Sequence, residues 1–181
     1  MKKKEIEKEK DYVALHLGCG NNLLEGYTNV DLVEPANKPF NIKFVKNDVS
    51  DLGFMNNKTV DLILADFLLE HIPVDDVPYV LYRWNRVLKM GGIIKATVPD
   101  FSKIANAFVE GIDMRKTDDF NLYKKMSYHL LNPGKDAHGS LWTKEYAEHI
   151  FRSEGFQIID VYNDGFHDWY LCIQAKKIEE S

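Results

Sequence analysis

Residues 15–20 read Leu-His-Leu-Gly-Cys-Gly, and a second apolar run, residues 27–32, contains a carboxylate at Asp31. Gly18 and Gly20 carry no Cβ, so the backbone can turn sharply off a strand and approach a ligand closely. A carboxylate at the tip of the neighbouring strand can accept hydrogen bonds from both hydroxyls of a ribose. The stretch therefore predicts an α/β sheet whose strand ends bind a ribose-bearing cofactor.

The spacing departs from the fingerprint of dinucleotide-binding proteins. That fingerprint has a third glycine three residues after the second, where this chain has Leu23, and its ribose carboxylate follows about 20 residues later. Asp31 follows Gly20 much sooner than that. Pyrophosphate binding at this loop is therefore disfavoured, and a plain turn between two strands stays an alternative.

The composition is that of an ordinary globular protein. The 181 residues include 45% hydrophobic and 28% charged residues, so residues 1–181 are expected to form a single domain with one substantial core. A formal net charge of −5 disfavours a nucleic-acid partner, because phosphate contacts need a basic surface. No apolar run approaches the ~20 residues of a membrane helix, so we expect no membrane partner and a cytoplasmic location.

Cysteine and histidine spacing gives no sign of a metal motif. Only Cys19 and Cys172 are present, without a Cys-x-x-Cys pair or a His-Glu-x-x-His sequence. We expect reduced thiols and no bound metal. Cys19 is interpreted as a small residue that packs beneath the ligand.

Beta-branched and aromatic runs alternate with helical patterns, which predicts a mostly parallel sheet. One helix between the fourth and fifth strands has Asp75 and Asp76 in its first turn, an apolar face that reaches Leu88, and Gly91 and Gly92 at its end. The first five strands are predicted at residues 12–17, 28–32, 42–46, 60–65 and 92–98.

The C-terminal third predicts an antiparallel end to the sheet. Thr143 caps a helix that Gly155 ends, and residues 156–162 and 169–176 read as two further strands. The connection between them, residues 163–168, is too short for a parallel return, which needs a dozen or more residues. The expected fold is a seven-stranded mixed sheet with an antiparallel last strand.

Several of these motifs together resemble the class I S-adenosylmethionine-dependent methyltransferases, and most closely a compact small-molecule subgroup, the methyltransferase type 11-like proteins. The glycine loop runs through a short link into Gly-Tyr-Thr-Asn-Val-Asp at residues 26–31, and Leu-Glu-His-Ile at 69–72 follows a fourth-strand motif. The resemblance covers about residues 12–162. It implies a Rossmann-like fold with helices on both faces, S-adenosyl-L-methionine as cofactor and S-adenosyl-L-homocysteine as product. Because this cofactor has no phosphates, the spacing that disfavours pyrophosphate binding does not count against it.

The resemblance also implies which residues bind the cofactor. Asp31 would bind the ribose, Asp48 the adenine amino group and the backbone N–H of Val49 a ring nitrogen. For Asp48 the alternative is a turn cap before Ser50, and for His71 it is a cap or a packing role. The implied set is Gly18, Cys19, Gly20, Asn21, Asp31, Leu32, Asp48, Val49, Ala65, Asp66, Phe67 and His71.

Catalysis requires an acceptor in line with the methyl group and, for a hydroxyl acceptor, a base. His138 is the first candidate, because its segment resembles one that precedes the C-terminal helix in several small-molecule O-methyltransferases. Asp100 and His71 are the next candidates, and Tyr128 and His129 are further ones. Residues 111–141 are polar and interrupted, which predicts an acceptor-binding cover, with disorder around residues 132–139 as the alternative.

The acceptor is expected to be a small molecule. The fourth strand ends in Ala-Asp-Phe-Leu at residues 65–68, without the Pro-Pro motif of methyltransferases that act on DNA bases or protein amides. The resemblance implies a sugar or cell-envelope precursor. Two alternatives stay open: a non-catalytic S-adenosylmethionine-binding module and an NAD-dependent oxidoreductase. The sequence favours no acceptor atom and no oligomeric state.

Overall fold

A seven-stranded sheet forms the centre of the computed structural model, which describes residues 12–110, 137–163 and 169–180. The strand order is β3-β2-β1-β4-β5-β7-β6. Strands β1 to β5 pair in parallel, whereas β7 is antiparallel to both β5 and β6. The strands are Ala14–Leu17 (β1), Thr28–Asp31 (β2), Phe44–Lys46 (β3), Val60–Asp66 (β4), Leu88–Pro99 (β5), Phe156–Tyr162 (β6) and Tyr170–Lys177 (β7).

Three α-helices accompany the sheet in the described residues: Val77–Val87 (α1), Phe101–Val109 (α2) and Lys144–Ser153 (α3). A short 3-10 helix, Leu69–His71, follows β4. The expected fold class is confirmed, including the antiparallel last strand. Within the same residues, none of the helices has the length and apolar character that crossing a bilayer requires.

The central strands lie inside the protein. All four residues of β1 are buried, as expected for a parallel strand that is covered on both faces. Trp84 of α1 is 0% exposed, and its indole Nε1 donates a hydrogen bond of 2.9 Å to the Val49 carbonyl. Trp84 therefore joins α1 to the segment that follows β3.

The predicted boundaries of α1 were wrong at both ends. Asp76 is the N-cap, so neither Asp75 nor Asp76 lies in the first turn. The helix ends at Val87, and Leu88 already pairs with Val60 as the first residue of β5. Gly91 and Gly92 therefore lie within β5, at an irregularity between Val60 and Leu62 that accommodates extra residues. The apolar periodicity extends past the true end of the helix because a buried apolar residue such as Leu88 fits the pattern of a helix as well as that of a strand.

Two further points concern helices. The Leu-Glu-His-Ile segment forms only the 3-10 turn, because Ile72 precedes Pro73 and adopts an extended conformation, φ −81° and ψ 129°. Helix α2 was not predicted. Asp100 caps it, since its carboxylate accepts a hydrogen bond from the Lys103 backbone N–H.

His16 is a buried histidine at the centre of the sheet. Its side chain is 1% exposed, and its Nδ1 lies 3.2 Å from the amide oxygen of Asn29. Burial lowers the pKa of His16 from its ordinary value of 6.5. Protonation is therefore easier in the unfolded chain than in the folded one.

This lowered pKa predicts a loss of stability in acid. Stability that the neutral His16 provides is present above about pH 6.5, and it decreases below that pH by up to about 1.4 kcal/mol per pH unit. Denaturant unfolding at pH 7.5 and pH 5.5 should show a larger loss for the natural protein than for His16→Gln. Equal losses in the two proteins would contradict the expectation.

Candidate active site

The glycine loop after β1 turns tightly against β2 and the segment after β4. Gly18 has φ +64° and Gly20 has φ +49°, values that favour glycine. The Gly18 N–H donates to the Val30 carbonyl at 2.9 Å. A Cβ on Gly18 would lie 2.7 Å from Leu68 Cδ1, whereas one on Gly20 would meet no atom of the described residues within 4 Å. The loop is therefore packed against Leu68 at Gly18, whereas the space next to Gly20 holds no described atom.

Asp31 holds this loop from the tip of β2. Its Oδ2 accepts a hydrogen bond of 2.8 Å from the Gly20 N–H, and its Oδ1 accepts one of 3.2 Å from the Val33 N–H. Each carboxylate oxygen has further lone pairs for a ligand. Leu32 beside it is 59% exposed, and Asn21 is also exposed. The glycine loop and the carboxylate that the sequence paired are in direct contact.

Cys19 lies inside the loop and is 3% exposed. Burial, with a smaller contribution from the charge of Asp31, raises the pKa of the thiol to about 11. The thiol is therefore protonated at neutral pH and is not a nucleophile. This burial agrees with the packing role expected for Cys19.

Asp48 and Val49 follow β3, beside Asp31: the Asn47 N–H donates to the Asp31 carbonyl at 3.0 Å. Asp48 Oδ1 accepts hydrogen bonds from the backbone N–H and the hydroxyl of Ser50, at 2.8 and 2.7 Å. The turn-cap alternative is thus present. Both bonds fall on Oδ1, so Oδ2 of the Asp48 carboxylate can still accept a bond from a ligand.

The end of β4 carries a backbone conformation that side chains rarely adopt. Ala65 is buried, and Asp66 Oδ1 accepts a hydrogen bond of 2.8 Å from the Thr97 hydroxyl. Phe67 has φ +53° and lies 4.8 Å, ring to ring, from Tyr170. A phenylalanine in the left-handed region is strained, and such strain concentrates at functional sites.

Glu70, His71 and His138 come together next to this strand end. The rings of His71 and His138 are 5.0 Å apart and nearly perpendicular. Glu70 is 2% exposed, and burial, opposed in part by a hydrogen bond to its own backbone and reinforced by the charge of Asp66, raises its pKa to about 8. Sequence reasoning did not single out Glu70, although a carboxylate directly after Leu68 and Leu69 was a sign of burial.

Asp100, the remaining catalytic candidate, has partners for both carboxylate oxygens. Oδ1 accepts a hydrogen bond from the Lys103 N–H at 3.2 Å, and Oδ2 accepts one from the Asn163 side chain at 3.1 Å. Its position gives it the role of helix cap. Tyr128 and His129 lie outside the described residues, as do residues 111–136 of the expected cover.

Comparison with known proteins gives one matching family model among the results. Residues 15–95 match the family model described as "Methyltransferase domain", and no curated protein matches the chain in sequence.

Solved structures share the fold at low sequence identity. The 1,6-didemethyltoxoflavin-N1-methyltransferase of Burkholderia thailandensis, solved with 1,6-didemethyltoxoflavin and S-adenosylhomocysteine, is 18% identical, with a TM-score of 0.63 over 94% of this chain and 72% of that one. An S-adenosylmethionine-dependent methyltransferase from Mesorhizobium loti is 17% identical, with a TM-score of 0.63 over 93% and 92%. Another, from Archaeoglobus fulgidus, is 14% identical, with a TM-score of 0.61 over 92% and 86%.

The fold, the glycine loop with its strand-tip carboxylate and the family match define the class of protein. Residues 15–95 match the methyltransferase-domain family, and the described chain shares its fold with S-adenosylmethionine-dependent methyltransferases. The expectation of a methyltransferase domain is confirmed for residues 15–95, and S-adenosylmethionine, the expected methyl donor, is the cofactor of methyltransferases that share the fold.

Proposed function

We propose that this protein transfers a methyl group from S-adenosylmethionine to a small-molecule acceptor, and that a sugar or cell-envelope precursor is the acceptor class to test first. The observation that carries the proposal is the contact between Asp31 and the Gly20 N–H, because it holds the carboxylate that we assign to the ribose beside the glycine loop, where a Cβ on Gly20 would meet no described atom. The toxoflavin methyltransferase that shares the fold acts on a small molecule, which supports a small-molecule acceptor.

The cofactor would lie along the ends of the first four strands. In this proposal Asp31 binds the ribose, with Leu32 against the adenosine, while Gly18, Cys19, Gly20 and Asn21 form the floor. Asp48 Oδ2 accepts a hydrogen bond from the adenine amino group, and Val49 contributes its backbone N–H. The end of β4, formed by Ala65, Asp66 and Phe67, together with His71, contacts the methionyl part.

The chemical step is a displacement at the methyl carbon of a sulfonium. The acceptor lone pair attacks this carbon, the carbon–sulfur bond breaks and S-adenosylhomocysteine leaves, so the protein contributes mainly by positioning and by excluding water. A hydroxyl acceptor must also lose a proton. His138 is the proposed base, because an imidazole has an ordinary pKa near neutral pH and its ring lies beside His71.

Calorimetry with S-adenosylmethionine, S-adenosylhomocysteine and NAD tests the cofactor proposal. We expect both adenosyl ligands to bind and NAD not to bind. Binding of NAD alone would favour the oxidoreductase alternative, which the short link before Asp31 and the antiparallel β7 already disfavour. Methyl transfer from labelled S-adenosylmethionine in an acceptor screen then separates an enzyme from a non-catalytic binding module.

Replacement of His138 by alanine tests the proposed base. The variant should keep the affinity for S-adenosylhomocysteine, because His138 lies beyond the adenosyl-binding residues in this proposal. Turnover should decrease by about 100-fold or more, the usual contribution of a general base. His149→Ala, an exposed histidine of α3, is the matched control and should keep its turnover. Unchanged turnover in His138→Ala would eliminate the base.

A further inference from the structure

Three side chains with metal-ligating atoms converge after β4, and we call them the Glu-His-His cluster: Glu70, His71 and His138. The first two end the 3-10 helix, and the third comes from the chain before α3. Each offers one nitrogen or oxygen, and these three atoms lie within 4.8 Å of one another. Because His138 is distant from the other two in sequence, no local spacing motif could have predicted this cluster.

Two buried polar atoms of the cluster have no hydrogen-bond partner among the described residues. One is Oε2 of Glu70, whose side chain is 2% exposed, and the other is Nδ1 of His71. Buried polar atoms in folded proteins are nearly always satisfied, so an exception calls for a bound group. A group bound between Glu70 and His71 would satisfy both atoms.

The charge of the surroundings favours a cation as this group. Burial, reinforced by the nearby charge of Asp66, raises the pKa of the Glu70 carboxyl. A carboxylate in that position is stabilised by a positive charge and destabilised by an anion. Two imidazoles and one carboxylate form the donor set of many zinc sites and of other first-row transition-metal sites.

The backbone holds the three side chains in this arrangement. The N–H groups of Gly139 and Ser140 both donate to the Glu70 carbonyl, at 2.7 and 3.1 Å, and the Ser140 hydroxyl donates to the Leu69 carbonyl at 2.9 Å. A Cβ on Gly139 would lie 2.9 Å from the Pro73 nitrogen, so only glycine lets the two segments approach this closely. These backbone contacts therefore hold His138 beside Glu70.

We propose that Glu70, His71 and His138 bind one divalent transition-metal ion of the zinc type. Tetrahedral ligation at about 2.0–2.1 Å brings ligand atoms to about 3.3 Å from one another, so side-chain rotation would draw the cluster together around the ion. Both histidines are half-buried, and three protein ligands leave one coordination position for a water or an acceptor oxygen, as in catalytic zinc sites.

This site goes beyond the proposed methyl transfer and changes the role of one residue in it. A His138 nitrogen that ligates the ion cannot also accept a proton from the acceptor. The metal role predicts that turnover of the natural protein depends on the added ion, whereas the base role predicts that it does not.

The test uses the full chain without an affinity tag, stripped of metal by a chelator and then titrated with Co²⁺, whose absorption spectrum reports coordination, and with Zn²⁺ in competition. We expect one ion per chain. Glu70→Gln, His71→Asn and His138→Asn should each weaken binding by about 100-fold or more, whereas His149→Asn should leave it within about twofold. Mg²⁺, which prefers oxygen ligands, should not compete.

Two results would overturn the site: the absence of stoichiometric Co²⁺ or Zn²⁺ binding, or binding that His138→Asn leaves unchanged. Thermal unfolding of the metal-free variants checks that each is folded, and added Zn²⁺ should raise the melting temperature of the natural protein but not that of His138→Asn. S-adenosylhomocysteine binding is measured on the same metal-free protein. If the protein binds S-adenosylhomocysteine but no metal ion, only the metal site is rejected. If it binds the metal ion but not S-adenosylhomocysteine, only the proposed function is rejected.

Discussion

Replacing Asp31 by alanine is expected to weaken S-adenosylhomocysteine binding by about 100-fold or more. Under the proposed function the carboxylate accepts hydrogen bonds from two ribose hydroxyls, each worth about 1.5–3 kcal/mol because the acceptor is charged, and 1.4 kcal/mol corresponds to a tenfold change in affinity. The variant also removes the bond that holds the Gly20 N–H. Calorimetry of S-adenosylhomocysteine binding measures the effect.

The control for this experiment is Asp160→Ala, which removes the same charge from an exposed position on β6, an edge strand of the sheet. Its affinity for S-adenosylhomocysteine should equal that of the natural protein. Thermal unfolding of Asp31→Ala separates loss of the ligand contact from loss of the fold. An Asp31→Ala protein that is folded and binds S-adenosylhomocysteine normally would show that the ribose assignment is wrong.

Replacing Trp84 by alanine is expected to have the largest effect on stability. The side chain is 0% exposed, and truncation of a buried tryptophan costs about 3–5 kcal/mol out of a total of about 5–15 kcal/mol. For a chain of this size the melting temperature should decrease by about 6–20 °C. Denaturant unfolding, with the midpoint and the slope both fitted, measures the change in the free energy of unfolding.

Two further variants identify the source of this effect. Tyr79→Ala changes an aromatic residue of the same helix that is 54% exposed, and it should cost about 1 kcal/mol or less. Trp84→Phe keeps a buried ring but leaves the Val49 carbonyl without its 2.9 Å bond, so an intermediate loss of about 1–3 kcal/mol is expected. If Trp84→Ala were as stable as Tyr79→Ala, packing of α1 on the sheet would not depend on this residue.

The sequence predicted well those features that depend on local chemistry. Gly18, Gly20 and Asp31 were paired correctly because a tight turn requires glycine and a strand tip exposes its last side chain. The range 156–162 for β6 was correct in full. The antiparallel β7 followed from chain length alone, since residues 163–168 are too few for a parallel crossover.

Other features depend on tertiary contacts that the sequence does not express locally. The end of α1 was misplaced because Leu88 is apolar and buried whether it belongs to a helix or to β5. Helix α2 was not predicted, because an aspartate at a strand end gives no sign that it also caps a following helix, as Asp100 does. The Glu-His-His cluster was missed because His138 reaches Glu70 only through the backbone contacts of Gly139 and Ser140.

Backbone hydrogen bonds hold the chain on each side of residues 111–136. The Phe101 N–H, at the start of α2, donates to the Trp142 carbonyl at 2.8 Å, and the Gly139 N–H donates to the Glu70 carbonyl at 2.7 Å. Both hydrogen bonds are made by residues outside 111–136, so substitutions within that range leave their donors and acceptors in place. Under the proposal that this segment contacts the acceptor, changes within residues 111–136 alter which acceptors the protein methylates. The residues proposed to bind the methyl donor stay the same, so a grafted segment would transfer acceptor specificity alone.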